Sequence, residues 1–175
     1  MRILLSLFVA VLLTLPALAQ DDESTVKDMF TEKRLPSMVL NDIHGERINI
    51  SEYGRNGKLT VFSFWATWCT PCKKELSNIS YLYEDWQEMY DMDLVAVSID
   101  DERNISKVQV YVDGQAWDYD VLLDTNSDLK RSLNFQTVPY IIIVDQRGNI
   151  VYSHSGYVEG DEYYLEEKLA ELAAD

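Results

Sequence analysis

At 175 residues, 47% of them hydrophobic, the chain is long enough for one domain with a sizeable core. Thirty acidic against 15 basic residues give a formal net charge of −15, which argues against nucleic acid or an anionic membrane surface as a partner. The first segment, MRILLSLFVAVLLTLPALAQ, has a basic Arg2, an apolar run from Ile3 to Leu15, Pro16, and the small residues Ala17 and Ala19. This is the layout of a secretory signal peptide over 1–19, cleaved after Ala17-Leu18-Ala19; an uncleaved membrane anchor is the alternative, for which the run is short. Cleavage removes one charge, Arg2, taking the net charge from −15 to −16. The protein is then expected in the periplasm or secreted, where disulfides persist.

Residues 20–34 are polar and charged and read as a flexible leader, with the folded domain expected over 35–175. Met38 to Ile50 (MVLNDIHGERINI) predicts two short strands around a His-Gly turn. After a Gly-containing loop, Leu59 to Trp65 (LTVFSFW) is apolar on both faces, as buried parallel strands are. A long helix is predicted next, because Cys72, Leu76, Ile79, Leu82/Tyr83, Trp86 and Met89 recur at three- and four-residue intervals. Leu94 to Ile99 predicts a second buried strand and Glu102 to Val112 a helix, with Asp101 or Asn104 available as its cap. A short strand over Tyr119–Leu123 and a short helix over Ser127–Leu133 follow. Tyr140 to Val144 (YIIIV) predicts a third buried strand, turned by Asp145–Asn149 into Ile150–His154 as a hairpin. The last element is an amphipathic helix from Glu162 to Ala173, through Tyr164, Leu165, Leu169 and Leu172. Hairpin, strand–helix–strand–helix, hairpin and helix make a three-layer α/β domain with a mixed sheet.

The only two cysteines are Cys69 and Cys72, in SFWATWCTPCKKE. A purely structural disulfide here closes a loop of about four residues, worth about 2 kcal/mol in the chain-entropy model, a small return for a domain of this size. A zinc site wants about four ligands, and the chain offers two thiols and two scattered histidines. A single-cysteine peroxidase favours a threonine three residues ahead of the nucleophile, where Ala66 stands. A redox pair has a mechanism: the cysteines lie where a buried strand gives way to a helix, with Pro71 early in that helix. Unpaired N–H groups and the positive helix terminus stabilise a thiolate at Cys69, and Lys73 and Lys74 add positive charge. Cys72, one turn further in, is placed to attack a mixed disulfide. Glu75 lies beside the apolar face of Leu76 and Ile79. Its spacing leaves two readings open: a partly buried proton acceptor for Cys72, or a member of a solvated first turn. His44 and His154 have no partner at metal or triad spacing and are expected to be structural or surface residues.

WCTPC after a buried strand, with Val138-Pro139 just ahead of another, resembles the thioredoxin superfamily, and more closely its extracytoplasmic ResA/TlpA-like thiol–disulfide oxidoreductases. Three features carry the closer likeness: the preface LNDIHGERINISEYGRNGKLTVFSFWATWC, Ser63 in place of the aspartate six residues before the first cysteine of cytoplasmic thioredoxins, and Glu75 three residues after Cys72. The resemblance covers about Leu35 to Leu172. It implies a thioredoxin-like three-layer fold with a central mixed sheet and an N-terminal β-hairpin extension. It further implies Cys69 as attacking thiol, Cys72 as resolving thiol and Glu75 as proton handler, with a cis Pro139, Val138 and Trp68 as docking surface for protein dithiol or disulfide substrates. No metal and no other cofactor is implied; a membrane thiol donor of electrons is, with reduction of selected protein disulfides, as in apocytochrome c maturation, as the favoured direction. A disulfide-forming oxidant and an inert thioredoxin-like binding module are the competing readings. The triplets Asn49-Ile50-Ser51, Asn78-Ile79-Ser80 and Asn104-Ile105-Ser106 fit the N-glycosylation pattern, which carries no meaning in the bacterial source the resemblance suggests.

Overall fold

The structure, a computed structural model, describes residues 33–174. The expected signal peptide and leader, up to residue 32, lie outside the described residues. Lys33 and Arg34, read from sequence as the end of the leader, are joined to the domain instead. The Lys33 carbonyl accepts from the Ile150 N–H at 2.7 Å, and Arg34 forms an isolated antiparallel bridge with Asn149. Backbone pairing holds these two, a contact that their charge concealed.

A hairpin of β1 (Val39–Asp42) and β2 (Arg47–Asn49) opens the described chain. Asp42 makes its turn, accepting the His44 and Glu46 N–H groups on one carboxylate oxygen, while Gly45 takes φ 87°. A 3-10 turn over Ile50–Arg55 follows, capped by the Asn49 side chain; it takes in Ile50, expected to end the second strand, and runs into the expected loop. Then come β3 (Leu59–Trp65), α1 (Thr70–Tyr90), β4 (Met92–Ser98), α2 (Ile105–Gln115), β5 (Asp120–Leu123), α3 (Asp128–Leu133), β6 (Tyr140–Val144), β7 (Ile150–Ser155) and α4 (Asp161–Ala173). The seven strands form one sheet in the order β2-β1-β5-β4-β3-β6-β7. β3 runs parallel to β4 and β4 to β5; the other pairs are antiparallel, giving the mixed sheet expected.

Strand alternation divides the core. Leu59, Val61 and Trp65 of β3, Leu94 and Ala96 of β4, and Ile141 and Ile143 of β6 pack with residues of α1, α2 and α4. Phe62 and Phe64, Val95 and Val97, and Ile142 and Val144 pack on the other face, with Leu129 and Leu133 of α3 and Ile50 of the 3-10 turn. Ser63 shares the parity of Val61 and Trp65, so its hydroxyl points to the α1 side. No helix among the described residues is long and apolar enough to cross a membrane.

Two helices differ from the periodicity that predicted them. Along α1 the buried stripe is Cys72, Glu75, Leu76, Ile79, Tyr83 and Trp86, and it continues four residues on to Tyr90, leaving Met89 exposed. Along α4 it runs Glu162, Leu165, Leu169 and Leu172, so Tyr164, one position off, is exposed. The predicted Glu102–Val112 helix is a 3-10 turn over Glu102–Asn104 followed by α2. Asp101, not Asn104, supplies the side-chain cap.

One close approach fixes how the 3-10 turn meets the β6–β7 turn. A Cβ on Gly54 would lie 2.6 Å from the Cα of Gly148, itself at φ +84°. Backbone against backbone cannot yield as a side-chain tip can. Gly54→Ala is therefore expected to lower unfolding free energy by about 1–3 kcal/mol, read as a lower urea midpoint with an unchanged slope.

Candidate active site

β3 delivers the chain to the site. After Trp65, which is fully buried against Tyr111 and Trp117, Ala66 to Trp68 turn across the carboxyl end of the sheet into α1. The turn is held by a residue the sequence reading passed over. Asp100, 3% exposed beyond β4, accepts the Thr67 N–H and the Thr67 hydroxyl, each at 2.7 Å, and the Ser98 hydroxyl at 2.9 Å. A carboxylate with three donors can be buried where an unpaired one could not. Its place just past a parallel strand, where open α/β sheets gather their sites, was the available signal.

Cys69 is the N-cap of α1 and Pro71 lies in its first turn. Cys69 and Cys72 are joined as a disulfide, their Cα atoms 5.3 Å apart. The two sulfurs are not equivalent. Cys69 is 5% exposed and its sulfur accepts the Cys72 N–H at 3.3 Å, whereas Cys72 is wholly buried. An N–H aimed at the Cys69 sulfur stabilises negative charge there, as does the helix terminus behind it. The lysines contribute less than expected. Lys74 is drawn away into an ion pair with Glu159, and Lys73 lies over the Tyr111 ring, 5.3 Å from its centroid.

Glu75 resolves the choice its spacing left open: it is not part of a solvated turn. The side chain belongs to the buried stripe, 3% exposed, and its carboxylate accepts the Ser63 hydroxyl at 3.0 Å. Burial pushes its pKa up to about 8, reinforced by the charges of Asp161 and Glu162 and opposed by the Ser63 hydrogen bond. The strand position that holds an aspartate in cytoplasmic thioredoxins here holds a hydroxyl, and the carboxylate comes to it from the helix.

Val138 and Pro139 immediately precede β6, whose first residue, Tyr140, pairs with Phe64. They therefore sit at the same end of the sheet as the turn into Cys69. The Val138–Pro139 peptide is cis; Pro139 is buried, and half-buried Val138 packs against the core cluster containing both cysteines. Trp68 is 67% exposed beside the disulfide. His44 lies in the hairpin turn, and His154 Nε2 is 3.7 Å from Asp161.

Behind α1 lies a cavity of about 380 Å³, walled by Ile79, Ile141, Tyr152 and Leu165 and reached by the Glu75 side chain. Its polar end holds a network invisible in the sequence. Glu162 accepts from the Asn78 side-chain amide at 3.2 Å, the Tyr157 hydroxyl at 2.9 Å and the Gly160 N–H at 3.1 Å. Asn78, the middle glycosylation-type asparagine, thus has its amide engaged inside the fold.

The model of the AhpC/TSA family matches residues 31–153. Among curated proteins, the thiol–disulfide oxidoreductase ResA of Halalkalibacterium halodurans is 28% identical over 69% of this chain and 65% of that protein. The protein of the same name from Bacillus thuringiensis subsp. konkukian is 28% identical over 80% of this chain and 77% of that one. Among solved structures, an uncharacterized thioredoxin-like protein from Porphyromonas gingivalis is 44% identical, covers 80% of this chain and 92% of that chain, and superposes with a TM-score of 0.71. With a thioredoxin-like sheet and a Cys-x-x-Cys disulfide heading its long helix, and with similarity to the ResA thiol–disulfide oxidoreductases, the chain belongs to the AhpC/TSA family.

Proposed function

We propose that this protein is an extracytoplasmic reductant of selected protein disulfides. Cys69 attacks the substrate disulfide as a thiolate and forms a mixed disulfide. Cys72 gives its proton to the Glu75 carboxylate and attacks the Cys69 sulfur, releasing the reduced substrate and leaving the Cys69–Cys72 disulfide. A second dithiol, on a membrane donor, must then restore the pair, since the compartment itself is oxidising. Trp68 and the Val138–Pro139 edge form the docking surface, where Val138 offers backbone groups to an extended substrate segment. Apocytochrome c is the substrate type that the likeness to the ResA/TlpA branch brings. Removal of a cleaved signal segment, 1–19, accounts for the location, with the leader and domain following it.

The observation that carries this reading is the buried Glu75 carboxyl on the helix of the redox pair, with a pKa near that of a thiol. A general base works best when its proton affinity matches the group it serves. One observation favours the opposite direction. The Cys72 N–H directed at the Cys69 sulfur favours the thiolate, hence the reduced form, and so an oxidising pair. The reduction potential of Cys69–Cys72 decides: a value near about −270 mV, as in thioredoxin, supports the reductant, and one near about −120 mV overturns it.

A further inference from the structure

We propose that Asp161 and Glu162, at the start of α4, are positioning residues for Glu75: across a shared cavity they set the pH at which Glu75 exchanges a proton with Cys72. This rests on the role given to Glu75 above and adds to it a control that lies on another helix.

The geometry has three parts. Glu75, Asp161 and Glu162 all line the cavity of about 380 Å³ between α1, α4 and the strands β6 and β7. Glu162 is 7% exposed, and its three donors, on α1, on the loop after β7 and at the head of α4, fix the carboxylate in place. Asp161 is anchored too, accepting the Val158 N–H at 2.8 Å. Fixed negative charge on the same cavity favours the protonated form of a third carboxyl, and both residues act on Glu75 in that direction.

The remaining groups around Glu75 do not cancel this. On the β3 side only the Ser63 hydroxyl meets it. Ahead of β5, Tyr119 gives its hydroxyl to the Leu76 carbonyl. Of the cations near the cavity, Lys168 is paired with Glu171 and Lys74 with Glu159. From β7, Tyr152 and His154 reach the cavity; His154 is the one group that would offset Asp161, when protonated. Tyr164, exposed, and Glu167 line it from α4, with Tyr164 at the solvent side. The cavity therefore also gives the proton an exit: from the Cys72 thiol to the Glu75 carboxylate, and from Glu75 to water entering between α4 and β7.

The test is a ¹³C titration of the Glu75 side-chain carboxyl in the oxidised full-length protein. Asp161→Asn keeps an acceptor for the Val158 N–H, and Glu162→Gln keeps one for Tyr157. Each should lower the Glu75 midpoint by roughly half a pH unit or more. Glu166→Gln removes a charge from the same helix outside the cavity and should leave it unchanged. In a Cys69→Ser background, the pH profile of Cys72 alkylation should move with the titration. An unmoved midpoint in both Asp161→Asn and Glu162→Gln, or an equal shift in Glu166→Gln, overturns the proposal. The reading of Glu75 itself fails separately, if Glu75→Gln leaves the alkylation profile unchanged.

Discussion

Cys72→Ser is expected to turn the protein into a trap for its own substrates. Reduced Cys72→Ser protein mixed with a disulfide-bearing substrate should accumulate a covalent adduct through Cys69, seen as a thiol-sensitive band on a non-reducing gel. Turnover in an insulin-reduction assay should fall on the order of a thousandfold or more. The asymmetry of the pair drives this. Cys69 caps the helix and receives an N–H, so it remains a competent attacker without its partner. The group that would release the adduct, a buried thiol one turn along, is gone. Cys69→Ser should form no adduct with a protein substrate, since Cys72 is too enclosed for a protein disulfide to reach, though a small alkylating reagent can still enter as the site opens transiently. Loss of the bridge itself costs the fold only about 2 kcal/mol, because the loop it closes is short, so both variants should stay folded. Equal adduct formation by the two variants would mean that the sulfurs are interchangeable and would remove the assignment of attacker and resolver. Equal insulin reduction by Cys69→Ser and the unaltered protein would instead favour an inert binding module.

How far the sequence reached follows from what apolar patterning can register. Strand β3 and the cysteine turn were legible because every residue from Leu59 to Trp65 is buried and the motif that follows has a fixed chemistry. The hairpins were legible from Gly45 and Gly148, which take left-handed backbone at the predicted turns. The misreadings on α1 and α4 share a cause. A stripe drawn through hydrophobic residues alone assigns Met89 and Tyr164 to the core and leaves Glu75 and Glu162 uncertain, whereas the helices bury the two carboxylates and expose the methionine and tyrosine. Burial of these carboxylates depends on donors brought in from other elements: Ser63 for Glu75, Asn78 for Glu162 and Thr67 for Asp100. No local window contains such pairs. The resemblance to a family pointed at Glu75, and only the packed structure brought Asp100 and Glu162 to the site.

Glu75→Gln should make the protein more stable at neutral pH while impairing it as a redox catalyst. The sign follows from linkage. Glu75 titrates at about 8 in the folded protein against 4.5 when freely solvated. Between those values the unfolded chain has lost the proton that the folded chain still binds. Folding stability attributable to this residue is therefore fully present below about pH 4.5, falls as pH rises, and levels off above about 8. At pH 7 the accumulated penalty is about 3 kcal/mol, and glutamine, which carries no charge and can still accept the Ser63 hydroxyl, escapes it. Thermal or urea unfolding of the oxidised proteins should show the variant ahead by about 3–4 kcal/mol at pH 7–8, with the gap closing toward pH 4. Catalysis should move the other way: without an acceptor, Cys72 must lose its proton to water, so release of the mixed disulfide should slow about 100-fold near neutrality. A stability gap that does not vary with pH would mean that the Glu75 carboxyl titrates normally. A stabilised variant with unimpaired release would leave the buried charge without a catalytic reason. Stability and turnover changing in opposite directions is the signature of a carboxyl kept in the core for proton transfer, at a cost the fold bears at every pH above its solvated pKa.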